Sequence, residues 1–188
     1  MINPLEFIAA LKKLDIRFVT GVPDSLLKDV CACITAHFSS PHHIIATNEG
    51  SAVGLAIGHY LATGRPALIY MQNSGLGNTV NPVASLVDPQ VYGIPMIFMI
   101  GWRGEILSDG KQLHDEPQHK KQGQITISQL DILDIPYRIV DGSQEKIEPV
   151  MADLVQLSLA RSGPVALVIR KNTFSSFKLI QPSQENNE

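Results

Sequence analysis

Cysteine is scarce in this sequence, which has only Cys31 and Cys33 among its 188 residues. The two stand two positions apart in a segment predicted to be helical. Their side chains therefore point in different directions, and a mutual disulfide is not expected. The sequence also lacks the further ligands that a zinc site would need beside them. We expect two reduced thiols, which indicates a cytoplasmic protein.

An excess of positive charge is also missing. Fifteen Lys and Arg residues against 18 Asp and Glu residues give a formal net charge of −3. Such a chain offers no basic field to nucleic acid or to an anionic membrane surface. Its apolar runs are too short to cross a bilayer, and residues 1–4 lead into an amphipathic helix rather than a basic and apolar leader. We therefore expect neither nucleic acid nor a membrane as a partner.

Three common functional signatures do not occur. The sequence has no Walker A lysine pattern and no G-x-S-x-G nucleophile elbow. The stretch SGLGNTV at residues 74–80 begins like a dinucleotide fingerprint, but Val80 occupies the place of the third glycine, so an NAD site is not predicted. Gly75 and Gly77 still allow backbone N–H groups before a helix to approach a ligand closely.

What the sequence does contain is an alternation of short apolar segments with segments of helical periodicity. It predicts an α/β fold with a doubly wound, mainly parallel six-stranded sheet and helices on both faces. The strands are expected at residues 16–20, 43–46, 67–71, 94–100, 137–140 and 164–169. Residues 1–180 are expected to form one domain, and residues 181–188 a polar tail or the start of a linker.

One long segment does not follow this alternation. Residues 101–124 are polar and show no clear periodicity, so we expect a long functional loop there, followed by a short helix at residues 125–133. Ligands of doubly wound sheets lie beyond the carboxyl ends of the strands. The segments that follow the first four strands should therefore gather into one site. They are residues 21–25, 48–49, 72–78 and 101–119.

Glu49 is the strongest single candidate in this set. It lies between an apolar strand, expected to be buried, and a helix that carries Gly50, Gly54 and Gly58 on one side. The helix dipole stabilises a carboxylate in the first turn of a helix. The alternative is therefore that Glu49 only starts the helix and has no further function. Each glycine costs about 1 kcal/mol of helix propensity against alanine. The bare ridge thus predicts a buried helix that another backbone or a ligand approaches closely. A charged Glu49 there needs a partner, which a bound cofactor would supply.

Two imidazoles and two carboxylates are concentrated in the stretch HDEPQH at residues 114–119. This composition suits proton transfer or anion binding near neutral pH, with solvated loop charge as the alternative. A metal site is less favoured, and none is predicted. Arg103 offers a guanidinium to a phosphate-like group, and the alternative for it is a surface arginine.

Five motifs in this order resemble the pyrimidine-binding domain of thiamine-diphosphate-dependent decarboxylases. They are GVPDSLLKD (residues 21–29), ATNEGSAVGLAIGHYLATG (46–64), QNSGLGNTVNPVASL (72–86), GWRGE (101–105) and DEPQH (115–119). The resemblance runs from about residue 3 to residue 179. It is closest to the branch that contains phosphonopyruvate decarboxylase and the sulfopyruvate decarboxylase alpha subunit. The family fold is a parallel-sheet α/β domain, in agreement with the alternation above.

The resemblance implies thiamine diphosphate as the cofactor. Glu49 matches the glutamate that hydrogen-bonds the aminopyrimidine ring and activates the cofactor for decarboxylation. Pro23, Gly75 and Asn78 match positions near the cofactor. The remaining candidates are expected to hold the substrate or to move its protons. They are Asp24, Ser25, Arg103 and Gln118 for substrate binding, and His114 and His119, in addition to Glu49, for catalysis.

The resemblance also implies a partner. In this family Mg²⁺ and the diphosphate are bound by a second domain, through a Gly-Asp-Gly segment followed further along by paired asparagines. This sequence has Asp109-Gly110 without that continuation. We therefore expect a chain that is inactive alone and needs a diphosphate-binding domain or beta subunit, either as a natural alpha subunit or as the front half of a longer enzyme. An oligomer is expected because the glycine ridge needs a covering surface.

The expected reaction is the decarboxylation of a small anionic 2-oxoacid. The resemblance favours 3-phosphonopyruvate, giving phosphonoacetaldehyde and CO₂, with sulfopyruvate second. Both acids carry a tetrahedral anion on a three-carbon frame. Two alternatives stay open: a non-catalytic cofactor-binding module and a carboligase that forms a carbon–carbon bond.

Overall fold

The computed structural model describes residues 1–143 and 146–178. Its strands are β1 (Val19–Gly21), β2 (His43–Ile45), β3 (Ala67–Gln72), β4 (Met96–Gly101), β5 (Tyr137–Val140) and β6 (Pro164–Ile169). They form one sheet in the order β2-β1-β3-β4-β6-β5, and every neighbouring pair is parallel. The predicted fold class is confirmed. The polar tail predicted at residues 181–188 lies outside the described residues.

Six α-helices accompany these strands within the described ranges. They are α1 (Pro4–Lys13), α2 (Lys28–His37), α3 (Glu49–Thr63), α4 (Leu76–Pro82), α5 (Pro117–Ile132) and α6 (Ile147–Arg161). Helix α1 precedes β1, and the other five connect successive strands. Local signals set several of their ends. Asn3 accepts a hydrogen bond from the backbone of Leu5 at the start of α1, Asn48 caps α3 through the backbone N–H of Ser51, and Gly64 ends α3 in the left-handed conformation.

The sheet is covered on both faces by helices. Alternate residues of a strand point to opposite faces, so Leu68 and Tyr70 of β3 pack with α1, α2 and α6. Ile69 and Met71 of the same strand pack with the helices of the other face, α3, α4 and α5. Strands β3, β4 and β6 are buried on both sides, which explains their continuous apolar sequences.

The long loop predicted over residues 101–124 is wrong in its second part. Helix α5 begins at Pro117 and continues to Ile132. Proline at the first helical position is compatible with this start. The buried positions of α5 are His119, Gly123, Thr126 and Leu130. They have helical spacing but only one large apolar side chain, so the apolar periodicity that usually reveals a helix is missing.

The burial predicted for β2 and for the glycine-ridged helix is also wrong. β2 lies at the edge of the sheet, and its Ile45 is 60% exposed. In α3, Gly50 packs closely against the backbone oxygen of Asn78, but Gly54 and Gly58 are exposed, and a Cβ atom added at either would meet no atom of another segment within 4 Å. Only the opposite side of α3 is buried. Of the three ridge glycines, only Gly50 is therefore approached closely by another segment of the described chain.

In the part of the chain that the structure describes, no helix is both long enough and apolar enough to cross a membrane.

Candidate active site

The strand order brings the four predicted segments to neighbouring places. β2, β1, β3 and β4 are consecutive in the sheet, and parallel strands place their carboxyl ends at the same edge. Residues 21–25, 48–49, 72–78 and 101–119 follow these four ends. The side chains there form two hydrogen-bonded clusters.

The first cluster surrounds Glu49, the first residue of α3. Asn78 of α4 donates a hydrogen bond from Nδ2 to Glu49 Oε2 at 2.7 Å. Gly75 lies against the same side chain, and a Cβ atom at that position would stand 2.6 Å from Glu49 Cδ. Glu49 is half-buried, and none of the described residues donates a hydrogen bond to its Oε1. The carboxylate is thus held by one oxygen and free at the other.

The second cluster is built on Asp115. Arg103 donates to Asp115 from Nε at 2.9 Å and from Nη2 at 2.6 Å. Asp115 also accepts from the backbone N–H of Gly104 at 2.9 Å, and it is hydrogen-bonded to His119 Nδ1 at 2.9 Å. Arg103 Nη1 reaches Ser25 Oγ at 2.8 Å. The hydrogen bonds from Arg103 hold the pKa of Asp115 well below its usual value and raise the pKa of Arg103, so the pair stays ionised.

Two members of this network were missed by the sequence analysis. Asp115 and Asn73 lie in segments expected to form the site, but neither was assigned a role of its own. Asn73 is buried, and its Nδ2 donates to the backbone oxygen of Arg103 at 3.0 Å and to Thr126 Oγ1 at 2.8 Å. Its Oδ1 accepts from the backbone N–H of Arg103 at 3.2 Å. An amide directly after a buried strand was the available signal, because such a group must find partners.

The other predicted site residues differ in their placement. His119 is buried, whereas Pro23, His114 and Gln118 are exposed. The side chains of His114 and Gln118 make no hydrogen bond to the part of the chain that the structure describes. Of the two imidazoles in the 114–119 stretch, only His119 therefore belongs to the Asp115 cluster.

Asp24 is buried beside these clusters without joining them. It is 6% exposed, and neither carboxylate oxygen has a hydrogen-bond partner of good geometry among the described residues. The side chain fills the space where Gly101 lacks a Cβ atom. Burial raises the pKa of Asp24, and the backbone N–H of Leu26 and the charge of Arg103 only partly oppose that effect. Ionised Asp24 is therefore a source of instability in this fold.

Asp24→Asn is expected to stabilise the protein at neutral pH. A raised pKa means that folded Asp24 holds its proton more tightly than the unfolded chain does. The stability that it contributes is therefore complete below the unfolded value of 3.8 and is lost as pH rises through the folded value. The neutral amide escapes that loss. Thermal unfolding of both proteins between about pH 4 and about pH 8 should show an advantage of the variant that grows with pH.

Asp109→Asn is the matched control for this measurement. Asp109 is exposed, and the backbone N–H of Lys111 lowers its pKa. The stability that Asp109 contributes is therefore lost as pH falls, whereas the stability that Asp24 contributes is lost as pH rises. An Asp24→Asn variant whose melting temperature followed that of the wild type at every pH would contradict the assignment.

A pocket of about 290 Å³ opens next to the Asp115 cluster. Its walls are the start of α2, the residues after β4 and the segment 171–174 after β6, which the sequence analysis did not associate with a site. No group of three His, Cys, Asp or Glu side chains suited to a metal ion is present in residues 1–143 and 146–178.

Comparison with known proteins identifies the family of the chain. Residues 6–130 match the family model described as thiamine pyrophosphate enzyme, N-terminal TPP binding domain. The chain is 34% identical over 154 residues to a phosphonopyruvate decarboxylase of Streptomyces viridochromogenes, which covers 81% of this chain and 36% of that protein. It is also 34% identical over 154 residues to a sulfopyruvate decarboxylase subunit alpha of Methanococcus maripaludis, covering 82% and 86% of the two chains.

Solved structures show the same fold at lower identity. A benzoylformate decarboxylase from Polynucleobacter necessarius superposes with a TM-score of 0.68 at 18% identity, over 97% of this chain and 32% of that one. A putative thiamin diphosphate-dependent enzyme from Mycobacterium smegmatis gives 0.67 at 18%, over 97% and 33%. The chain thus spans about a third of the phosphonopyruvate decarboxylase and most of the sulfopyruvate decarboxylase subunit alpha. It belongs to the thiamine pyrophosphate enzyme family, as an N-terminal TPP-binding domain.

Proposed function

We propose that this chain is the pyrimidine-binding half of a thiamine-diphosphate-dependent 2-oxoacid decarboxylase. The observation that carries the proposal is Glu49, half-buried at the carboxyl edge of the sheet, with Oε2 held by Asn78 and Oε1 without a donor among the described residues. Its preferred substrate is 3-phosphonopyruvate, and sulfopyruvate is the alternative. Relatives named for both substrates support this pair.

The Glu49 cluster fits an aminopyrimidine ring. A carboxylate with one oxygen fixed and the other free can share a proton with a ring nitrogen. Gly75 leaves room for this orientation, and Asn78 keeps the carboxylate in place. The bound cofactor would supply the nucleophilic carbon and take up the electron pair released by the departing CO₂. Glu49 then holds and returns the proton at the ring nitrogen, and Pro23 lines the approach.

The Asp115 cluster is the proposed substrate side of the site. The bond to Asp115 orients the His119 ring and leaves Nε2 for proton transfer. Ser25 is held by Arg103 at the open edge and offers its hydroxyl to the substrate. Asp24, His114 and Gln118 stay candidates for the same surroundings.

A decarboxylation assay tests the proposed function. The chain is combined with its diphosphate-binding domain or subunit, thiamine diphosphate and Mg²⁺, and CO₂ release is measured with 3-phosphonopyruvate, sulfopyruvate and pyruvate. We expect the highest kcat/KM for 3-phosphonopyruvate. Cofactor binding without CO₂ from any 2-oxoacid would favour the non-catalytic module, and a carbon–carbon coupled product would favour the carboligase.

Gly75→Ala is expected to inactivate the assembled enzyme without unfolding the chain. The new methyl group would occupy the position of the Glu49 carboxyl group, a flexible side chain that can move away. The movement breaks the bond to Asn78 and misorients the proton-sharing oxygen, so kcat should fall by about 10²-fold or more. Gly77→Ala is the control because a Cβ atom there meets no atom within 4 Å. Equal turnover of the two variants would contradict the placement of Glu49.

The exposed apolar surface formed by α3 and β2 is the proposed docking site of the diphosphate-binding partner. Ile45, Gly54, Leu55 and Gly58 line a broad groove there. This chain carries no Gly-Asp-Gly segment with paired asparagines, so Mg²⁺ and the diphosphate are assigned to the partner. A relative named as a subunit alpha supports such an assembly.

Gly54→Leu is expected to weaken this assembly while leaving the isolated chain folded. Replacing the exposed helical glycine gains up to about 1 kcal/mol of helix propensity, but the larger side chain fills the groove. Size-exclusion chromatography and titration with the partner should show at least a roughly tenfold loss of affinity, a change of about 1.4 kcal/mol. Ala160→Leu, at an exposed position of α6 on the other face of the sheet, is the control. Undiminished affinity of Gly54→Leu would exclude this surface.

The proposed compartment is the cytoplasm. Cys31 and Cys33 are free thiols in the structure, and burial, with the charge of Asp24, raises the pKa of Cys31 to about 12. Such thiols are unreactive and agree with a reducing compartment.

A further inference from the structure

The residues that line the pocket beside the Asp115 cluster include more cations than anions. Three cationic side chains, Lys28, Arg103 and Lys171, line it together with the carboxylates of Asp29 and Asp115. Arg103 is already neutralised by Asp115, to which it donates two hydrogen bonds. Lys28 and Lys171 form no ion pair within residues 1–143 and 146–178. The pocket therefore carries a net formal charge of +1, from three cations and two anions.

The wall that carries Lys171 is held in place by hydrogen bonds. The backbone N–H of Lys171 donates to Glu105 Oε2 at 3.3 Å, and the next residue, Asn172, adopts a left-handed conformation with φ of 62°. Thr173 donates from Oγ1 to the backbone oxygens of Arg170 at 2.8 Å and Val140 at 3.1 Å. The opposite wall is the first turn of α2, which carries Lys28. The two lysines thus line one cavity from separate, ordered elements.

Arg103 uses three of its five N–H groups within the cluster. Its Nε and Nη2 donate to Asp115 and its Nη1 donates to Ser25. One N–H group remains on each of Nη1 and Nη2, but the charge of the guanidinium is already balanced by Asp115. Lys28 and Lys171 have no ion-pair partner in the described part of the chain, and an ammonium group binds a phosphonate, phosphate or sulfonate as a point charge.

The pocket and Glu49 both lie at the carboxyl edge of the sheet. The Glu49 carboxyl group packs on Gly75, which follows β3, whereas the pocket lies beyond β4 and β6, the next two strands of the sheet. Neighbouring strands are about 4.8 Å apart, so strand ends one or two positions apart along this edge are separated by roughly 5–10 Å. A three-carbon 2-oxoacid with a distal anion has dimensions of this order.

We propose that this pocket binds the distal tetrahedral anion of the substrate, a phosphonate or sulfonate, through Lys171 and Lys28. The inference rests on the proposed function and makes it more specific. The two lysines distinguish 3-phosphonopyruvate and sulfopyruvate from pyruvate, which lacks the distal phosphonate or sulfonate. Arg103 then acts as a positioning residue that holds Ser25 and Asp115 beside the pocket.

The test has a binding arm and a kinetic arm. In the first, phosphonoacetate is titrated into the wild-type chain and into Lys171→Gln and Lys28→Gln, and amide shifts of residues 28–29 and 171–174 are followed by NMR. In the second, the assembled enzyme is assayed with 3-phosphonopyruvate, sulfopyruvate and pyruvate. Each variant should weaken phosphonoacetate binding about tenfold. Each should also lower kcat/KM for 3-phosphonopyruvate and sulfopyruvate by a similar factor, relative to kcat/KM for pyruvate. Lys121→Gln, at an exposed position outside the pocket, is the control and should change neither quantity.

The two arms separate the pocket from the reaction. Binding of phosphonoacetate that depends on the lysines, in an assembly that releases no CO₂, would support the pocket and overturn the decarboxylase. The enzyme could instead decarboxylate with the same preference for 3-phosphonopyruvate and sulfopyruvate over pyruvate in Lys171→Gln, Lys28→Gln and wild type. That result would overturn the pocket and keep the decarboxylase.

Discussion

Glu49→Gln is expected to lower kcat of the assembled enzyme by about 10²- to 10⁴-fold, the range of a lost proton-transfer group. The amide has nearly the same shape as the carboxylate and can still accept the bond from Asn78. It cannot take a proton from a ring nitrogen at Oε1. The defect should therefore appear in kcat more than in KM, and thermal unfolding should be nearly unchanged.

Two further variants make this result specific. Asn78→Ala removes the donor that orients Glu49 but keeps the carboxylate, so its loss of kcat should be smaller. Glu148→Gln changes an exposed carboxylate of α6 that pairs with Lys13, and it should leave turnover unchanged. Titration with thiamine diphosphate separates a cofactor-binding defect from a catalytic one. Full turnover of Glu49→Gln would refute the proposed mechanism.

Asp115→Asn is expected to lower the free energy of unfolding by about 3 kcal/mol at neutral pH. Asp115 and Arg103 are only 15% and 21% exposed, and the substitution leaves the guanidinium without its counter-charge. The backbone of Gly104 and the ring of His119 lose their ionised acceptor at the same time. Urea unfolding of the two proteins measures the difference directly.

The pH dependence of this difference has a defined sign. Arg103 lowers the pKa of Asp115 below the unfolded value of 3.8. The stabilisation is therefore present above that value and is lost as pH falls through the folded value. The gap between wild type and variant should narrow below about pH 4. Asp153→Asn, at an exposed position of α6, is the control. A gap of less than about 1 kcal/mol at neutral pH would mean that the cluster does not stabilise the fold.

The sequence was sufficient where the information is local. Apolar runs with helical segments between them predicted the parallel sheet, because strand and helix periodicities repeat every two and 3.6 residues. The position of Glu49 at the start of α3 was readable for the same reason. Helix α5 shows the limit of this approach: its buried positions include His119, Gly123 and Thr126, which give no apolar pattern to detect.

Contacts between distant segments were decided by the tertiary structure alone. The order of the strands determines which loops become neighbours, and no local pattern encodes that order. It brings Asn78 to Glu49 across 29 positions and Arg103 to Ser25 across 78, and it places Lys171 beside the start of α2. Which side of α3 is exposed likewise depends on how the helix packs on the sheet, and the sequence did not predict it. Residue types along the chain thus determined the elements and the identity of the key carboxylate. Burial and strand order determined its partners, because both depend on the whole fold.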